Sequence, residues 1–269
     1  ALDANTTGNQ NIAIGKNSLG ANTTASANVA MGQSALGANT TGANNVAVGV
    51  EALRSNTTAS NNTAVGYTAL DANTTGTGNV AVGASALISV TTGQYNTGCG
   101  SSAGEQVTTG GNNLLLGLSA GRSSSPSGTI TTGSNQVCLG NNSITDLFCK
   151  VSTIQTSDLR DKTDVNDFKY GLSWVEKLRP ITYRWDMRSN YADGVPDGSK
   201  KEEKLHLGFI AQEELQIEKE HGFANNKNDM LLVNENNDGN YGMHYDRLVP
   251  ILVNAIKELS AKVAVLEAG

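Results

Sequence analysis

At 269 residues, with 25 acidic side chains against 19 basic ones and a net charge of −6, the chain is long enough for one or two domains and lacks the basic surface of a nucleic-acid binder. No apolar run approaches the ~18 residues of a transmembrane helix, so no membrane insertion is expected. The composition also changes along the chain: residues 1–150 hold five acidic and four basic side chains, leaving twenty and fifteen for 151–269.

The first half repeats one phrase, Asn-x-Ala-x-Gly. Its glycines fall at Gly15, Gly32, Gly49, Gly66, Gly83, Gly100 and Gly117, always seventeen apart, and then at Gly140 after a step of twenty-three. A fixed period of this kind is the signature of a solenoid, one coil per repeat. Within a unit, Val46 and Val48 share one strand face and Ala47 takes the other. The large residues are expected inside the coil. The opposite face would be a stripe of Ala13, Ala30, Ala47, Ala64 and Ala81, small enough for the close approach of a neighbouring chain. Leu19, Leu36, Leu53, Leu70 and Leu87 form a second beat, read as a second short strand with an inward Leu. Asn-Thr-Thr at 22–24, 39–41, 56–58 and 73–75 is a third, suited to turns whose side chains ladder from coil to coil. These triplets match the glycosylation sequon, but repetition at one coil position accounts for them. Eight coils at strand spacing give a shaft of roughly 40 Å over residues 1–145. So thin a coil is expected to need partner chains. Leu2–Gly8 repeats Leu70–Gly76 residue for residue, so the array is expected to continue upstream. The six extra residues of the long step, near Arg122–Gly128, should bulge as a loop.

Cys99 and Cys138 occupy repeat slots held elsewhere by Val and Ala, and read as small buried apolar residues. Neither the three Cys nor His206, His221 and His244 have metal spacing. No metal, cofactor or disulfide is expected.

After Thr145 the beat stops. Leu147, Cys149 and Val151 alternate like a short strand within a linker, 146–156. Phe168, Leu172, Val175 and Leu178 then have helical spacing up to Pro180, Ile181–Trp185 reads as a strand, and 189–204 as a surface loop. Phe209–His221 reads as a helix closed by Gly222. Met230–Val233 and Tyr241–Tyr245 read as a hairpin around Asn237-Asp238-Gly239. Leu252, Ile256, Leu259, Val263 and Leu266 keep a 4-3-4-3 rhythm on a final helix, the spacing of a coiled coil. The fold class is therefore an all-β repeat shaft followed by a small α+β domain, 157–269, ending in a long coiled-coil-like helix.

The repeat resembles the left-handed β-roll heads of trimeric adhesins and the shafts of viral tail fibres, although adhesin rolls usually run on a shorter period. The second half carries four motifs in order. They are Ser157-Asp158-Leu159-Arg160-Asp161-Lys162-Thr163-Asp164, Leu178-Arg179-Pro180 with Tyr183-Arg184-Trp185, Gly208-Phe209-Ile210-Ala211-Gln212-Glu213, and Tyr245 with Leu248-Val249-Pro250. Together they resemble the C-terminal intramolecular chaperone of phage endosialidases, tailspikes and tail fibres, a domain also found in myelin regulatory factor. Asp161 departs from the pattern, where an apolar residue is usual.

The resemblance implies a homotrimeric chaperone that removes itself by a single-turnover serine endopeptidase reaction. Ser157 would be the nucleophile, Lys162 the general base, and the cut would fall between Thr156 and Ser157. Asp158, Arg160 and His244 are candidate supporting residues. A serine needs an adjacent base, and a lysine acts as one only as the free amine, which burial or neighbouring positive charge can favour. Five residues apart, the two side chains face opposite sides of a strand and lie about 140° apart on a helix, so a turn or a neighbouring subunit has to bring them together. The resemblance further implies a virion protein that binds a host-surface receptor, expected to be a glycan. The alternative is a trimeric cell-surface adhesin without enzymatic activity. A glycan-degrading tailspike is a third class, but it would need paired carboxylates in a cleft, and the array's five acidic residues are scattered. A non-repeating chaperone also suits a repeating shaft: coils that match after a shift of seventeen leave chain register poorly specified.

Overall fold

The computed structural model describes residues 1–144, 147, 157–236 and 238–268, with the side chains of Asp161 and Ser189 excepted. Thr156, the linker 146–156 apart from Leu147, and Asn237 at the hairpin turn lie outside the described residues. The chain divides into two compact units, Ala1–Thr145 and Asp146–Gly269.

The first unit is a parallel β-solenoid. Eight three-residue strands, β1 (Ile12–Ile14), β2 (Val29–Met31), β3 (Val46–Val48), β4 (Thr63–Val65), β5 (Val80–Val82), β6 (Thr97–Cys99), β7 (Leu114–Leu116) and β8 (Val137–Leu139), stack in sequence order into one parallel sheet. Each repeat slot pairs with its equivalent, as in Ala30 with Ala47 and Ala47 with Ala64.

The inside and outside of the coil are the reverse of the sequence expectation. Ala30, Ala47, Ala64 and Ala81 are fully buried, while Ile12 (52% exposed), Ile14 (56%) and Val137 (67%) point outward. The Leu beat supplies the reason. Leu19, Leu36, Leu53, Leu70 and Leu87 are fully buried but lie in turns, with φ between +47° and +54°, so the expected second strand is absent. Each Leu reaches across a thin coil and meets the Ala of the strand, leaving no room there for two more large side chains. The left-handed backbone costs each Leu about 1–2 kcal/mol, and full burial returns about 1.5–3 kcal/mol. Cys99 sits in an outward slot and is exposed, whereas Cys138 takes the inward Ala slot and is buried. The glycine closing each strand is required by close approach: at Gly49, with φ +138°, an added Cβ would stand 2.3 Å from the carbonyl oxygen of Gly66 in the next coil.

Polar side chains complete the interior as ladders. Asn39 donates to the Oδ1 of Asn22 at 3.2 Å, Asn56 to Asn39 at 2.9 Å and Asn73 to Asn56 at 3.0 Å. Thr40 donates from Oγ1 to the Thr57 carbonyl at 3.0 Å. The side chains of Asn22, Asn39, Asn56 and Asn73 are fully buried, which fits the structural reading of the sequons. A second ladder precedes each strand and was not foreseen: the Oδ1 of Asn45 accepts the backbone N–H of Asn62 at 3.0 Å, and Asn62 donates to the Gly76 carbonyl at 2.9 Å. Toward β7 the core exchanges partners. Leu115 replaces the strand Ala, and glycines replace the turn Leu at 104 and 121. A Cβ on Gly104 would lie 2.5 Å from Leu87 and 2.6 Å from Leu115, so one large residue has moved from turn to strand at nearly constant volume. The six extra residues form a turn beside the buried Ser125, whose Oγ accepts from Gly121 N at 3.1 Å and donates to the Arg122 carbonyl at 2.7 Å.

The second unit contains α1 (Leu172–Val175), β9 (Ile181–Tyr183), β10 (His206–Gly208), α2 (Ala211–Glu220), β11 (Val233–Glu235), β12 (Tyr241–Met243) and the 21-residue α3 (Leu248–Ala268). β9 pairs antiparallel with β10, and β11 with β12. The helix expected from Phe168 is only four residues long. Asn254 of α3 donates to the carbonyls of Phe168 and Tyr170, and Glu258 accepts from Leu172 N at 3.1 Å, so α3 holds the preceding segment out of helix. Gly222, at φ +87°, ends α2 as expected, with Phe223 N donating to the Glu218 carbonyl at 2.9 Å. Trp174 is fully buried among Ile217, Leu232, Leu248 and Ile251, and His221 stacks on it at 4.6 Å between ring centroids. Beyond the contacts of Leu248, Ile251 and Ala255, α3 leaves Ile256, Leu259, Val263 and Leu266 exposed.

Candidate functional site

The segment that opens the second unit is short, charged and shaped by one carboxylate. Asp158 Oδ1 accepts from Arg160 N at 2.9 Å and caps a single 3-10 turn, Leu159–Asp161. The same carboxylate takes both guanidinium arms of Arg160, at 3.0 Å and 2.6 Å. This pairing holds the Asp158 carboxyl below its ordinary range, through the side-chain and then the backbone hydrogen bonds of Arg160.

The turn reverses the chain between Ser157 and Lys162. Lys162 Nζ donates to Ser157 Oγ at 2.8 Å, within one chain. The odd spacing is thus bridged by a turn. Arg160 faces Asp158, and among the described residues no hydrogen bond or ion pair joins it to Lys162. Ser157, Arg160 and Lys162 are all exposed. The contact is that of an ammonium donating to a hydroxyl. For base catalysis the same pair has to work in reverse, with a free amine accepting the proton of Oγ.

His244 is half-buried after β12, its backbone N–H on the Leu232 carbonyl at 2.7 Å. Among the described residues, no hydrogen bond or ion pair joins its side chain to Ser157 or Lys162. Thr156, the other side of the expected cut, lies outside the described residues.

The remaining motifs have structural work that accounts for their residue types. Arg179 pairs through both arms with Glu213, tying the Leu-Arg-Pro segment to the start of α2. Tyr183 packs edge-on to Trp185 at 5.1 Å and stacks with His206 at 5.5 Å. The hydroxyl of Tyr245 accepts from Phe209 N at 3.2 Å, and a Cβ on Gly208 would lie 2.5 Å from that oxygen.

Two buried carboxylates on α2 escaped the sequence reading. Glu218 accepts from the backbone N–H groups of Leu231, Leu232 and Val233 at 2.8, 2.7 and 2.8 Å. Glu214 accepts from Trp174 Nε1 at 2.7 Å, while its other oxygen is buried without a partner among the described residues. Burial pushes the Glu214 carboxyl up to about 7, opposed by the Trp174 hydrogen bond and reinforced by Glu218. Four-residue spacing on one helix face was the available signal, but charged residues so spaced usually face water. Among the described residues no cluster of three or more His, Cys, Asp or Glu is arranged to hold a metal ion, and no helix is long and apolar enough to cross a membrane.

Comparison with protein-family models matches residues 157–223 to the family described as chaperone of endosialidase. The match covers about a quarter of the chain and starts at Ser157; Tyr245 and Leu248–Pro250 lie beyond it. No curated protein and no solved structure matches the chain. A β-solenoid followed by this domain fits a tail fibre with a C-terminal chaperone domain, and the family implies a chaperone that cleaves itself.

Proposed function

We propose that the chain is the distal part of a viral tail fibre or spike, a host-attachment protein whose C-terminal domain assembles three chains, fixes their register and then cuts itself off between Thr156 and Ser157. The observation that carries this reading is the 2.8 Å contact between Lys162 Nζ and Ser157 Oγ at the first residue of the family match.

In the proposed reaction, Ser157 Oγ attacks the carbonyl carbon of Thr156 as the amine of Lys162 takes the hydroxyl proton. The Thr156–Ser157 C–N bond breaks, and that proton passes to the departing nitrogen of Ser157. An ester between Thr156 and the Ser157 side chain results, and water hydrolyses it to a carboxylate and a free hydroxyl. Asp158 acts by positioning: it caps the turn that brings the two side chains together, and it keeps Arg160 engaged. Because both reacting side chains are exposed in the single chain, the cut waits for burial against another chain, which favours the neutral amine. Cleavage then follows assembly rather than preceding it, and loss of the nucleating domain leaves the shaft kinetically trapped.

A denaturing gel of the purified protein tests this reading. Wild type should release a fragment of residues 157–269, while Ser157→Ala and Lys162→Ala should stay full length with native assembly mass. Cleavage that persists in Ser157→Ala would refute the assignment.

A further inference from the structure

Outward strand faces on a solvated coil are normally polar. Here every outward residue of β1–β8 is apolar except Thr63 and Thr97, and no charged side chain occurs in any of the eight strands. Ile12, Ile14, Met31, Val80, Val82 and Val137 are between 37% and 67% exposed. The parallel register lines these positions up coil over coil, so two adjacent files run the full length of the sheet.

We infer that this strip, rather than the buried Ala file, is the surface by which copies of this chain pack together along the shaft, level with one another. The inference rests on the proposed assembly of several chains and names the surface they use. Two features select another copy as the occupant. The strip offers on the order of 1,000 Å² of side-chain surface per chain, against about 800 Å² per partner in a stable interface of standard size. Its ridges also recur at the strand spacing of ~4.8 Å, and a partner can interdigitate at every coil only if it has the same repeat. A second solenoid of this sequence has that repeat by construction.

Cys99 lies in the strip, paired in register with Val82 and Leu116, and reports on it. In the full-length chain, Cys138→Ala and Cys149→Ser leave Cys99 as the sole thiol. Its reaction with a maleimide should be at least tenfold slower in the assembled protein than after unfolding. Val65→Asp with Val82→Asp, placed on the strip, should restore rapid labelling and lower the mass seen by sedimentation. Thr75→Asp with Thr92→Asp, exposed on another side of the coil, should change neither. A multi-chain assembly in which Cys99 labels as fast as a free thiol overturns the strip and leaves the self-cleaving fibre reading standing. A wild-type protein that sediments as a single chain overturns both the strip and the proposed trimer. Unchanged mass and protection in the strip double variant also overturns the inference.

Discussion

Glu214 and Glu218 stand one helical turn apart on α2, both buried, and are held in opposite ways. Three backbone N–H groups satisfy Glu218, while among the described residues Glu214 has one donor and one orphaned oxygen. Glu214 is therefore accommodated best as the neutral acid, and its carboxyl is raised to about 7, by burial first and by Glu218 second, against the lowering effect of Trp174. The unfolded chain releases this proton near 4.5, the native one near 7. Stability from this residue is thus fully present below pH 4.5 and is lost as pH rises through 7, by on the order of 3 kcal/mol. Glu214→Gln keeps the acceptor for Trp174 and should abolish that fall, so that urea unfolding of the variant gives nearly equal stabilities at pH 5 and 8. An undiminished decline in the variant would place its source elsewhere.

At the scale of the coil, the Asn ladder stops at a definable place. Seventeen residues after Asn73 stands Val90, followed by Val107 and, across the long step, Ile130, all fully buried. Val90 has no side-chain N–H to offer, its backbone N–H going to the Leu87 carbonyl, and Asn73 Oδ1 is accordingly buried without a partner among the described residues. This asymmetry makes a prediction. Asn56→Val orphans Asn39 Oδ1, adding one unsatisfied acceptor, whereas Asn73→Val orphans Asn56 Oδ1 but removes the orphan already present. The carbonyls of Ala59 and Gly76 keep a second donor in each case, from Asn45 and Asn62. Asn56→Val should therefore cost about 1–3 kcal/mol more than Asn73→Val in thermal or denaturant unfolding; equal costs would refute the orphan-acceptor account. The period, the strands and the turn ladders of this element were legible in the sequence because repetition displays them. The sidedness was misread because residue size was taken as the guide. A better guide lay in the repeats themselves: the outward slots vary among Ile, Val, Met, Thr, Leu and Cys, while Ala recurs in five successive inward slots and so does Leu in the turns. A slot that tolerates such variety faces outward, and one that repeats a single residue is constrained by packing.

For the whole molecule, the ordered motifs nominated the candidate site's residues and the odd spacing called for a turn or a second chain between them, but which of the two could not be read, because the capping of a turn by Asp158 depends on local backbone conformation rather than on spacing. The register problem, by contrast, sharpens once the outward strip is known. A one-coil slip between two chains keeps most strip contacts and loses about an eighth of them, which at ~25 cal/mol per Å² is only about 3 kcal/mol per chain. Correcting a slip after zippering means breaking the whole interface, so the register formed first is the one retained. A non-repeating domain that assembles first would set that register. Chains held level place their Cys99 residues at one height, while a slip sets Cys99 opposite the Val82 or Leu116 slot of its neighbour. With Cys99 as sole thiol, refolding the full Ser157→Ala chain from denaturant should, on mild oxidation, give a high yield of Cys99–Cys99 disulfide cross-links. The same chain ending at residue 156 should give several-fold less, with the remainder as misaligned or insoluble material. Equal cross-linking from the truncated chain would mean that the coils find their own register and that the C-terminal domain serves some other step.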